Sequence, residues 1–382
     1  MTLIAGRRTE NGRWLSLDIV RGATVAGMLL VNNPGTWAAV YPPLRHAVWH
    51  GWTPTDLVFP FFLFIVGITT ELSLGRRAST GATDGAIRRQ VLRRSALIVL
   101  IGLGLAAFPF FPLERFETLR VPGVLQRIGI CYAAAALLAW RRPDRSVALT
   151  AVALLLGYWA AMTLVPVPGV GPPTLDPPEA TLAAWLDRAL LDGHLWSQSR
   201  TWDPEGILST FPAIGTTLLG VLTGRWMQRE LPLAERLNGL FAGGAIAAGG
   251  GAVWGWVFPI NKSLWTSSYV LLSAGLAALT LATVSWVVDV CGQQRWARPL
   301  VTYGLNPMVA FAGSGLMAKL MGGLIRVPLH GESVPLQRAI YQTTFEAWLP
   351  PHAASLAYAL SFVLVWYLIL LGMERRGWIL KI

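Results

Sequence analysis

The chain has 382 residues, 54% of them hydrophobic and only 13% charged, with a mean hydropathy of +0.50. Water-soluble domains carry roughly 25% charged residues, so this composition excludes an ordinary soluble enzyme and calls for a surface covered by lipid. The formal charge of +11 comes from 31 Lys+Arg against 20 Asp+Glu; in a chain this apolar it reads as membrane topology rather than as affinity for nucleic acid, because basic residues gather at the cytoplasmic ends of spanning helices.

A helix that crosses a bilayer needs about 20 largely apolar residues, since no water is present there to satisfy an open backbone. Ten stretches qualify, at about 16–33, 56–74, 95–113, 124–140, 146–167, 207–224, 237–258, 267–290, 300–325 and 352–373. The expected fold is therefore all-α, a polytopic integral membrane helical bundle of about ten transmembrane helices. No interval is long enough for a second globular domain, so residues 1–382 read as a single membrane domain. Arg7, Arg8 and Arg13 precede the first apolar run in the manner of a secretory signal, but Asp18 and Arg21 inside that run argue for a permanent helix.

Counting bases sets the orientation. With a cytoplasmic N-terminus, the inner segments hold 20 of the 31 basic residues, among them Arg7, Arg8, Arg13, Arg76, Arg77, Arg93, Arg94, Arg375, Arg376 and Lys381. Both termini are then expected in the cytoplasm. All five histidines, His46, His50, His194, His330 and His352, fall on the outer face, as does a long loop at about 168–206 with a helical-looking stretch at 180–191. Loops of that length usually carry function, so a polar substrate is expected on this side. Cys131 and Cys291 sit in or beside apolar stretches and define no disulfide framework.

Polar residues in the first two spans concentrate at two depths. Asp18 and Arg21 share a helix face at i,i+3, either as a neutralising pair or with Arg21 holding an anionic cofactor that enters from inside, a task Arg93 and Arg94 could share. Asn32, His46, His50 and Asp56 gather near the outer boundary. His46 reads in two ways: as an interfacial side chain, or as a general base oriented by Asp56, with Asn32 as a neutral donor to a developing oxyanion. His50 lies four residues after His46, but a lone H-x-x-x-H without a third ligand is a weak zinc signal, and no metal is expected. Further along, Gln126 and Arg127, then Asp203 and Glu205, then Asn261 and Lys262, and finally Asn306 place polar groups at helix ends; each suits either capping or a polar cavity, and Asp203, Glu205, Asn261 and Lys262 suit contacts to a sugar or amine.

The motifs LDIVRG, VNNPG, HAVWHGWTPTDLVFPFFLFIVG, RVPGVLQRIG, DPEGILSTFPAI, NKSLWTSSYV and YGLNPMVAF, in this order, resemble the heparan-alpha-glucosaminide N-acetyltransferase family and its bacterial relatives over nearly the whole chain. The resemblance implies a transmembrane acyltransferase that passes an acetyl group from cytoplasmic acetyl-CoA to an amino sugar or glycan beyond the membrane. It implies His46 as catalytic base or transient acetyl carrier, with Asn32 and Asp56 as its companions; the residues themselves suggest Arg21, Arg93, Arg94 and Arg127 for the coenzyme. Trp49, His50, Asp203, Glu205, Asn261 and Lys262 fall to the acceptor. Two departures flank the acceptor side: His50 stands where the W-N-G form is usual, and the turn after the V-N pair is reduced to NPG. A homodimer is compatible with the resemblance, and a bacterial inner membrane is the expected location. A transporter of a small sugar or anion is the rival reading, since it too needs polar groups among its spans.

Overall fold

A computed structural model describes residues 14–380. Arg7, Arg8, Arg13 and Lys381, all counted toward the basic inner rim, lie outside the described residues. The helices run in chain order as α1 (Leu15–Asn32), α2 (Pro54–Ser79), α3 (Asp84–Ala107), α4 (Val124–Ala139), α5 (Asp144–Leu164), a short α6 (Leu182–Leu191), α7 (Thr210–Met227), α8 (Leu233–Trp254), α9 (Ser267–Ser285), α10 (Arg298–Leu305) and α11 (Pro307–Lys319). A two-stranded hairpin follows, β1 (Arg326–Leu329) and β2 (Glu332–Pro335), then α12 (Leu336–Ile340) and α13 (Pro351–Arg375).

Among the described residues, seven helical segments are long and apolar enough to cross a membrane: α1, α2, α3, α5, Ser267–Val290, Pro307–Leu324 and α13. The remaining expected spans are helical but depart from that standard for legible reasons. The apolar α4 has 16 residues. In α7, Pro212, the threonines and Arg225 dilute the hydropathy, and α8 opens with LAERLNG and continues through a glycine-rich stretch. The chain is a polytopic helical membrane protein.

The expected ninth span at 300–325 is not one helix. Asn306 leaves the helical region (φ −128°, ψ 55°) and separates α10 from α11. The following Pro307 supplies the cause, because its ring disfavours helical backbone at the residue before it and it offers no N–H. The buried Asn306 amide replaces the lost bonds by donating from Nδ2 to the Trp378 carbonyl at 3.0 Å and accepting the Leu380 N–H on Oδ1 at 2.9 Å. The expected third span is also displaced: α3 starts at Asp84, where the Thr83 side chain caps it by accepting the Ala86 N–H. The hairpin was not expected either. It pairs Val327 with Val334 around a two-residue turn, His330 (φ 50°) and Gly331 (φ 83°), the positive-φ pair that suits the strand twist.

The described chain divides into two compact units. The first takes the residues up to His46, Thr53–Phe59 and Val284 onward. In it α1 and α10 approach at backbone contact: a Cβ on Gly22 would fall on the Leu300 carbonyl, and one on Gly304 on the Asp18 carbonyl. Ile19, Val288 and Ala297 close that seam, and Thr302 donates to the Glu374 carboxylate at 2.5 Å. The second unit takes Ala47–Trp52 and Pro60–Thr283. Here α2 and α7 meet in the same manner, with Gly67 against the Thr217 carbonyl and Gly220 against the Phe64 carbonyl. Without a hydrophobic drive between helices in lipid, such small-residue contacts supply the packing.

Substituting Gly220→Ala is expected to force α2 and α7 apart and to lower stability by about 1–3 kcal/mol, the usual cost of overpacking. Gly243→Ala on α8, where an added Cβ meets nothing within 4 Å, is expected to leave it unchanged or slightly raised. Thermal unfolding of the two variants in detergent compares them.

Candidate active site

The connection between α1 and α2 is shaped by its own polar groups. A short turn at Pro42–Leu44 is followed by Arg45, whose Nε donates to the Val40 carbonyl at 2.7 Å. Two threonines at the start of α2 reach back to this turn: Thr55 Oγ1 donates to the Pro43 carbonyl at 3.1 Å and Thr53 Oγ1 to the Arg45 carbonyl at 2.6 Å. The consequence is that His46 and Asp56, ten residues apart, come into contact, with Nδ1 of the imidazole 2.6 Å from Oδ1 of the carboxylate.

The geometry fixes the roles of the imidazole nitrogens. Asp56 is 1% exposed and lies at the third position of α2, where the helix dipole favours negative charge; its Oδ2 accepts the Thr53 N–H at 2.9 Å. The carboxylate therefore accepts the Nδ1–H hydrogen bond, which puts the lone pair on Nε2 of a side chain that is 47% exposed. None of the described residues hydrogen-bonds Nε2. Asn32, the last residue of α1, presents an exposed side chain that bonds to neither His46 nor Asp56. A cleft of about 260 Å³ lies among Val31, Pro34, Tyr41, Leu44, His352 and Ser355 and other residues of the same unit, but Asn32, His46 and Asp56 do not line it.

The second unit holds a different polar cluster. Arg120 forks onto Asp203, with Nε to Oδ2 at 2.8 Å and Nη2 to Oδ1 at 2.5 Å, and its Nη2 also meets Glu205 Oε2 at 2.5 Å. Asp203 and Glu205 are buried, so both are committed to Arg120 rather than presented to solvent. Arg127, 1% exposed, donates from Nη2 to the Gly206 carbonyl at 3.0 Å and to Ser209 Oγ at 2.5 Å, and its guanidinium lies 5.1 Å over the Trp265 ring. Burial alone would push the Glu205 carboxyl up, but Lys262, Arg120 and Arg127 outweigh it and hold Glu205 below the usual carboxylate range. That depression contributes stability at neutral pH which is lost as the pH falls through the lowered value. Burial pushes Asp187, on α6, up to about 6, although its carboxylate accepts the Ile207 and Asp203 N–H groups.

His50 lies in the same unit and contrasts with His46. Asn261 Oδ1 accepts the Leu264 N–H at 2.8 Å, which turns its amide donor toward His50 Nδ1 at 3.3 Å. His50 Nε2 then carries the proton and donates to Asp176 Oδ2 at 2.8 Å. Both nitrogens are engaged, so His50 has no lone pair to offer as a base. Trp49 donates to the Leu175 carbonyl at 3.0 Å and packs edge-on to Trp202, with Trp196 next in line at centroid distances of 5.3 and 5.6 Å.

Of the arginines expected at a coenzyme, Arg21 is paired with Asp18 at 3.0 Å and donates to the Gly304 carbonyl. Arg94 lies 4.9 Å over the Tyr132 ring, and Arg93 is exposed on α3. Apart from the T-P-T-D run ahead of a helix, nothing in the sequence alone singles out Arg120, Asp187 or Thr53, whose partners are remote in the chain or lie in a turn.

Removing Arg120 strips two buried carboxylates of their direct ion pair, so Arg120→Ala is expected to cost about 3–5 kcal/mol in unfolding stability. For Asp187 the native state binds the proton more tightly than the unfolded chain, so its contribution is lost as the pH rises from its ordinary value of 3.8 to about 6. The unfolding midpoint of Asp187→Asn relative to the parent protein is expected to move in favour of the variant across that window.

Comparison with known proteins identifies the family. Residues 13–247 match the model of the family described as heparan-alpha-glucosaminide N-acetyltransferase, catalytic. The chain is 29% identical over 360 residues to the heparan-alpha-glucosaminide N-acetyltransferase of Mus musculus, covering 80% of this chain and 54% of that protein. It is 30% identical over 358 residues to that of Homo sapiens, covering 79% and 52%. It thus spans about half the length of the curated relatives it matches. The matched region contains the His46–Asp56 pair and the whole Arg120–Glu205 cluster, and the chain belongs to the heparan-alpha-glucosaminide N-acetyltransferase catalytic family.

Proposed function

We propose that this protein is a membrane acetyltransferase that moves an acetyl group from acetyl-CoA to an amino sugar or glycan, with His46 as general base. The observation that carries this reading is the 2.6 Å contact between His46 Nδ1 and the buried Asp56, which leaves Nε2 basic and accessible. The names of the relatives support transfer of an acetyl group to the nitrogen of a glucosaminide.

In this reading Nε2 removes a proton from the acceptor nitrogen or oxygen as that atom attacks the thioester carbonyl. Asp56 stabilises the imidazolium that forms, and the same proton returns to the departing thiolate. The unengaged Asn32 amide is the donor to the carbonyl oxygen as charge develops. A covalent acetyl-His46 is the alternative course, in which Nε2 itself attacks the thioester. Arg93 and Arg94, with Arg21 and Arg127, are assigned to coenzyme contact. His50, Trp49, Asn261 and Lys262 are assigned to the acceptor side, with Asp203 and Glu205 setting the electrostatics behind them. The basic residues favour cytoplasmic termini and an acceptor beyond a bacterial inner membrane, within one membrane domain that is free to pair as a homodimer and that contacts lipid over its apolar surface.

Purified protein incubated with acetyl-CoA and a panel of amino sugars and cell-wall fragments is expected to add one acetyl mass to an acceptor. His46→Ala is expected to lower the rate by at least about 10²-fold, the usual lower bound for loss of a general base, while unfolding at the same temperature. Unchanged turnover in that variant removes His46 from the chemistry. Rapid quench with labelled acetyl-CoA and no acceptor separates the two courses, since only the covalent one labels the protein.

A further inference from the structure

We infer that Thr53 is a positioning residue for the reaction, holding both partners of the His46–Asp56 pair at once; this rests on the general-base reading of His46. Thr53 immediately precedes α2, with Pro54 at its first position and Asp56 at its third. That is the spacing of a capping box, in which the third-position carboxylate reaches back to the cap N–H. Half of the box is present: the Thr53 N–H donates to Asp56 Oδ2 at 2.9 Å. The other half is altered. In the usual box the threonine hydroxyl turns inward to the N–H of the third residue, but here the Asp56 N–H is taken by the Thr53 carbonyl at 3.0 Å.

The hydroxyl is thereby released for another contact. It has one proton to give and two acceptors in reach, the Arg45 carbonyl at 2.6 Å and Asp56 Oδ2 at 3.2 Å. The nearer acceptor is the carbonyl of the peptide that joins Arg45 to His46. One residue therefore fixes the carboxylate through its N–H and the backbone of the base through its hydroxyl. The His46 side chain, 47% exposed, has no other hydrogen bond among the described residues than the one to Asp56. Its peptide is the remaining place where it is held. Small losses of alignment at a reacting group cost large factors in rate, up to roughly 10²-fold for a shift of about 1 Å.

Thr53→Val keeps the branched shape and the backbone N–H and removes only the hydroxyl, while Thr53→Ser restores the hydroxyl. Thr53→Val is expected to lower kcat by roughly ten- to a hundred-fold with KM for the acceptor little changed. Its kcat/KM profile is expected to keep an acidic limb displaced to lower pH, because a loosened carboxylate stabilises the imidazolium less. Thr53→Ser is expected to restore both the rate and the limb. If His46→Ala is inactive while Thr53→Val shows the parent kcat and pH profile, the inference is overturned and the general-base reading survives. An active His46→Ala overturns both. Equal slowing by Val and Ser with no movement of the limb shows a purely structural contact and overturns the inference. Should Thr53→Val not fold, as judged by thermal unfolding, Thr53→Ala serves as the hydroxyl-free variant under the same criteria.

Discussion

A charge withdrawn from water has to be met by protein groups or given up, and that constraint governs every functional feature of this chain. Asp56 answers it with a helix N-terminus, a backbone N–H and an imidazole proton. Asp203 and Glu205 answer it with one forked guanidinium. Asp187 has two backbone donors and, among the described residues, no cation in direct contact, and burial carries its carboxyl up to about 6. The three solutions differ in how much freedom they leave. Asp203 and Glu205 are spent on Arg120, whereas Asp56 satisfies its own charge by orienting another group.

The two neighbouring histidines show the difference in chemical terms. His46 and His50 are four residues apart and carry the same side chain, yet their surroundings assign opposite capacities. A carboxylate on Nδ1 leaves the far nitrogen of His46 open for proton traffic. The amide on Nδ1 and the carboxylate on Nε2 close His50 at both ends and make it a strut between the start of the loop after α5 and the turn before α9. Which of the two histidines keeps a lone pair to act as a base thus follows from hydrogen-bond partners, not from residue type or spacing.

That is also why the site was only partly legible in the sequence. The spans stood out because hydropathy is additive along a helix, and nine of the ten expected stretches are each matched by one helix. The ninth stretch failed at Asn306, where a single proline outweighs the apolar pattern around it. His46 with Asp56 could be anticipated because both lie near one short connection. Arg120 could not be tied to Asp203 and Glu205, since 83 and 85 residues separate them and only the tertiary fold closes that distance. Thr53 was hidden differently: its role depends on which way one hydroxyl turns, a matter of ångströms.

The fork of Arg120 also bears on how the segment before α7 behaves. A stretch of chain anchored through two buried carboxylates to Arg120, just ahead of α4, cannot swing aside as a lid without stripping three charge-assisted contacts. Residues 203–205 are in that sense masonry. A moving lid in the second unit, should the proposed reaction use one, has to be hung on other residues.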